Sequence, residues 1–64
     1  MKLIGKNGQA YTLEIDEKEL ELINNALNEV CNGIDISEFM TRLGQSEEAA
    51  QTLLKRLNSL LPAK

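Results

Sequence analysis

Asp16-Glu-Lys-Glu-Leu-Glu-Leu-Ile-Asn-Asn-Ala-Leu-Asn-Glu-Val-Cys-Asn-Gly33 is the stretch from which the fold is read. Asp16 is a good N-cap residue, and Glu19 three positions later completes a capping box, in which each carboxylate accepts from the other residue's backbone N–H. The pair predicts a helix that starts at Glu17, with acidic side chains favoured at the positive end of its dipole. Leu20, Ile23, Leu27, Val30 and Cys31 recur at steps of three and four, which is the apolar stripe of a packed helix. Leu22 and Ala26 widen that stripe, so two contact surfaces are expected. Asn32-Gly33 tolerate left-handed backbone and predict the helix end near Cys31 or Asn32.

On the N-terminal side, Met1–Lys6 and Gln9–Ile15 flank Asn7-Gly8, a strong hairpin signal because a type I′ turn needs positive φ at both central residues. That turn sets Lys6 opposite Gln9 and Ile4 opposite Tyr11. Ile4, Tyr11, Leu13 and Ile15 then share a side, which is expected to meet the helices. On the C-terminal side, Asp35 with Glu38 forms a second capping box, opening a short helix through Ile36, Phe39, Met40 and Leu43 that Gly44 stops. Ser46 caps a third helix from Glu47 to about Leu61, with Ala50, Leu53, Leu54, Leu57, Leu60 and Leu61 as its stripe and Pro62 as its end. The expected fold is α+β and mostly α: an N-terminal β-hairpin followed by three helices, long, short and long, in a single domain over residues 1–64.

Sixty-four residues, 42% of them hydrophobic and 27% charged, describe a soluble globule of modest stability without room for a deep catalytic cleft. Histidine is absent and Cys31 is the only cysteine, which removes disulfides, His/Cys zinc sites and imidazole base chemistry. Cys31 on the apolar stripe reads as a small buried hydrophobe, with no base to activate it. Asp35 and Glu38 are too few oxygen ligands for a hard cation. The four glycines are isolated, so no phosphate-cradling loop is present. No enzyme activity, cofactor or metal is expected. The opening Met-Lys-Leu-Ile-Gly-Lys-Asn-Gly lacks the apolar core of a signal peptide, and no run approaches the ~20 apolar residues of a membrane span. The expectation is a cytoplasmic chain away from membranes.

Net charge is −3, and its distribution is uneven: residues 14–38 hold eight of the ten acidic residues against Lys18 alone. Such a middle third favours a partner with a basic surface and repels phosphate backbones. Within it Glu21, Asn24, Asn25, Asn28 and Asn32 fall at helical spacing. Asparagine is a poor interior helix former, so a row of amides suits a polar, adaptable contact with another protein better than it suits simple solvation. Glu17, Glu21, Asn24, Asn25, Asn28 and Asp35 are the expected partner-binding residues.

Residues 39–57, Phe-Met-Thr-Arg-Leu-Gly-Gln-Ser-Glu-Glu-Ala-Ala-Gln-Thr-Leu-Leu-Lys-Arg-Leu, resemble the helix-turn-helix of bacterial DNA-binding proteins. Gly44 stands at the turn, and Leu43, Ala50 and Leu53 stand where apolar residues lock the two helices. Met40 and Gln45 depart from that pattern. The resemblance implies a small, dimeric regulator that sets Gln45, Glu47, Glu48, Gln51, Thr52, Lys55 and Arg56 against nucleic acid. Glu47 and Glu48 oppose it, because carboxylates at the start of a recognition helix face phosphates. The stretch Ala26-Leu-Asn-Glu-Val-Cys-Asn-Gly-Ile-Asp-Ile-Ser-Glu-Phe39, continued by Thr41-Arg-Leu-Gly44, is similar to a group of short bacterial proteins, some of which lie beside polymorphic toxins as immunity proteins. That similarity spans residues 13–57 and implies an inhibitor that occludes the active site or substrate surface of a cognate toxin. A third reading is a homodimeric scaffold in which Leu22 and Ala26 are buried by a twin.

Overall fold

The computed structural model describes residues 1–61, so the expected stop at Pro62 lies outside the described residues. Two antiparallel strands, β1 (Lys2–Asn7) and β2 (Ala10–Glu14), precede α1 (Glu17–Asn28), a π-helical turn (Glu29–Gly33), α2 (Phe39–Leu43) and α3 (Glu47–Leu60). This is the expected order of a hairpin and three helices, the first of them extended by the π turn.

The local signals at three helix ends act as read. Asp16 Oδ1 accepts from the Glu19 N–H at 2.8 Å, and Glu19 Oε1 accepts from the Asp16 N–H at 3.2 Å. Ser46 Oγ accepts from the Ala49 N–H at 3.1 Å. Gly44 ends α2 with φ +78°, a conformation that glycine adopts without a Cβ penalty. Glu19 has a further role, because its carboxylate also accepts from the Met1 amine at 2.7 and 2.8 Å. That amine, with the Asp16 N–H, holds the Glu19 pKa below the ordinary carboxylate value.

Other ends differ from expectation. In the hairpin, Asn7 pairs with Ala10, which leaves Gly8-Gln9 as the two-residue loop. Of these only Gly8 has positive φ, +63°, the type II′ requirement of glycine at the first central position rather than the type I′ requirement at both. A bulge between Leu3 and Gly5 then leaves Ile4 without a partner. Lys6 therefore faces Tyr11, not Gln9, and its Nζ stands 5.2 Å from the ring centroid. Leu3, Lys6, Tyr11 and Leu13 share a side, and that side does not meet the helices: Leu3, Tyr11 and Leu13 are all exposed.

The first helix does not close on a left-handed glycine, since Gly33 has no positive φ. The Ile34 N–H reaches back five residues to the Glu29 carbonyl at 2.9 Å, widening the last turn. Glu29's carboxylate lies where a Cβ on residue 33 would stand. Nor do Asp35 and Glu38 form a capping box. The chain leaves the π turn extended at Ile34, Glu38 takes φ 55° and ψ 45° without a side-chain cap, and α2 begins only at Phe39. Left-handed backbone at a residue with a Cβ costs about 1–2 kcal/mol. Glu38→Gly is therefore expected to raise stability by about 1 kcal/mol in urea titrations, and a neutral or lower midpoint would mean that the Glu38 side chain offsets the strain.

The core lies between α1 and α3. Leu20, Asn24, Leu27 and Cys31 on one helix and Ala50, Leu54, Leu57 and Leu61 at the other are all buried or half-buried, with α3 running back along α1. Buried apolar side chains are few: among the described residues only Cys31 and Leu54 are buried, at 8% and 5% exposure, and none is fully enclosed. The radius of gyration is 13.1 Å, against about 10.7 Å for a compact chain of this length. The extents are 35 × 34 × 16 Å.

Candidate functional site

Helix α1 has three faces, one of which forms the packed contact with α3. The first, carrying Leu20, Asn24, Leu27 and Cys31, packs against α3. Asn24 is thus a correction to the expected row: it lies seven residues before Cys31 on the same face, is 9% exposed, and its Oδ1 is buried without a hydrogen-bond partner. Spacing put it inside while its amide chemistry argued for outside, and spacing won.

The second face carries the other candidates. Glu17, Asn25 and Asn28 are exposed and Glu21 is half-buried. Asp16, Glu17, Lys18 and Glu21 line a shallow concavity of about 480 Å³, and Lys18, Glu21, Leu22 and Asn25 line its neighbour of about 380 Å³. The row ends in a chain of amides. Asn32 Nδ2 donates to Asn28 Oδ1 at 3.1 Å, and Gln51 Nε2 donates to Asn32 Oδ1 at 3.4 Å and to the Cys31 carbonyl at 3.3 Å. The π turn explains the last contact, because a helix C-terminus leaves carbonyls that side chains must satisfy. Asp35 is exposed but stands beyond the π turn in the connection to α2, so it is not on the helix face with the others.

The third face holds the extra apolar edge, with Leu22 70% exposed and Ala26 also outside. Ala26, Leu27 and Val30 form one wall of a mostly apolar groove of about 370 Å³ whose other walls are Phe39, Leu43, Gln45, Ala50 and Leu53.

For the nucleic-acid reading, Gln51 is turned inward to cap α1, and the Thr52 hydroxyl donates back to the Glu48 carbonyl at 3.0 Å. Gln45, Glu47, Glu48, Lys55 and Arg56 are exposed, with Glu47 and Glu48 in the first turn of α3. Gln51 is half-buried three positions before the buried Leu54, a role the sequence reading, which set it against nucleic acid, did not give it. Among the described residues no cluster of three metal-binding side chains occurs, and no helix is long and apolar enough to cross a membrane.

Comparison with protein-family models, curated proteins and solved structures finds no match to this chain. The functional reading therefore rests on its own geometry.

Proposed function

We propose that the chain is a non-catalytic protein-binding module that neutralises a partner with a basic surface, as an immunity-type inhibitor does a toxin. One observation carries this reading: Glu17, Glu21, Asn25 and Asn28 lie on a single face of α1, outside the contact with α3. A helix face is a rigid support, so these side chains meet a partner with little loss of backbone freedom. The carboxylates steer encounter with a cationic groove, and the amides supply donors and acceptors once contact is made. Buried Cys31 and the absence of histidine leave no imidazole-activated nucleophile of the Cys–His or Ser–His kind, which supports binding rather than turnover. The nucleic-acid reading is the weaker one, because Gln51 is occupied and Glu47 and Glu48 lead the helix that would approach phosphates.

The experiment is stopped-flow association with a basic protein co-purified on the tagged chain. Glu17→Lys with Glu21→Lys is expected to slow association about tenfold at low salt, with the difference shrinking as salt is added. Asn25→Ala is expected to weaken the complex while leaving the melting temperature unchanged or slightly higher, alanine being the better helix former. An association rate indifferent to salt and to both reversals would remove the α1 face from the mechanism. A complex with a defined duplex that survives competitor DNA would favour the regulator instead.

A further inference from the structure

The chain presents two apolar surfaces that nothing within it covers. One is the hairpin side with Leu3, Tyr11 and Leu13, exposed by 56%, 59% and 48%. The other is the groove walled by Ala26, Leu27, Val30, Leu43, Ala50 and Leu53. We infer that a second copy of this chain covers both, the hairpin of each copy lying in the helical groove of the other, in a twofold pair.

Three observations support a second copy. A two-stranded hairpin is marginal in water unless its apolar side packs on something, and the helices of its own chain do not supply that contact. The area is also right. The chain exposes 5404 Å², whereas a compact folded chain of 7.1 kDa exposes about 4,100 Å². Covering that excess on both copies makes an interface of about 2,600 Å², within the roughly 2,000–5,000 Å² of obligate homodimers. Finally, a chain with only two buried apolar side chains among its described residues, neither of them fully enclosed, needs its cover from the moment it folds, and the partner always present then is another copy. The Glu17, Glu21, Asn25 and Asn28 face lies outside this contact, so the inference stands independently of the proposed inhibitor role.

The exchange of elements makes a test that separates pairing from misfolding. By sedimentation equilibrium at micromolar concentration the wild-type chain is expected at twice 7.1 kDa, with a melting temperature that rises with concentration. Leu13→Lys on the hairpin and Leu53→Glu in the groove are each expected to raise the dissociation constant at least about 100-fold. Mixed in equal amounts, the two variants are expected to pair again. Their hybrid has one seat with wild-type Leu13 against wild-type Leu53, and one with the new lysine against the new glutamate. A wild-type chain that sediments as a monomer would overturn the inference. So would a mixture that stays unpaired, or a Leu13→Lys variant that still forms the full dimer, which would mean pairing through helices alone.

Discussion

Leu54→Ala is expected to cost about 2–5 kcal/mol, the range for removing a packed leucine side chain and leaving part of its cavity unfilled. Leu54 is 5% exposed and is one of the two buried apolar side chains among the described residues, so few buried neighbours are available to collapse into the space. Whole-domain stability at this length is about 3–10 kcal/mol. The variant should therefore be largely unfolded near physiological temperature, seen as lost helical ellipticity and a urea midpoint displaced toward zero. Leu60→Ala, at a position 68% exposed, is the matched control and should stay within about 0.5 kcal/mol of wild type. A Leu54→Ala chain as stable as the control would place the core elsewhere than between α1 and α3.

Asn24→Leu should have the opposite sign. The Asn24 Oδ1 has given up its water and receives no hydrogen bond in return, and an unsatisfied buried acceptor costs about 1–3 kcal/mol. Leucine has the same number of side-chain heavy atoms on the same branched frame, has the higher helix propensity and carries no polar atom, so the variant is expected to gain about 1–3 kcal/mol in the same urea titration. A buried polar residue in a helix pair can also fix register, as a lone asparagine does in coiled coils. The gain should then come with broadened amide signals and more than one packing arrangement. Loss of stability on this substitution would show that a donor reaches Asn24 in solution.

Asn24 also shows what a sequence of this kind conveys and what it withholds. Its place between Leu20 and Leu27 on the α3-facing side was readable from spacing, but an amide among leucines argues for the surface, and the two cues conflict. Where the cues agreed, the reading held: the box at Asp16 and Glu19, the cap at Ser46 and the stop at Gly44 each depend on a few adjacent residues. Asp35 and Glu38 have the spacing of the first box yet make none, because the π turn hands the chain on in an extended conformation and α2 starts at Phe39. The hairpin register failed for a related reason. Asn7-Gly8 identifies a turn, but not whether its loop is Asn7-Gly8 or, as found, Gly8-Gln9, and a slip of one residue changes every pairing, which the bulge at Ile4 then shifts again. The α1 face was legible in Glu17, Glu21, Asn25 and Asn28. The inward role of Gln51 was not, since the carbonyl it satisfies is left open by a π turn that no residue pattern announced.

The smallest extent, 16 Å, is little more than the roughly 10–12 Å diameter of a single helix with its side chains. Folded domains are ordinarily two packed layers with an interior between them, and this chain is one layer with a seam. No atom of a slab that thin is far from water, so the persistence of its folded form is not a property of the sequence alone. On the pairing inferred above, the supply of second copies sets it, and scarcity, as much as mutation, would expose the chain to proteolysis.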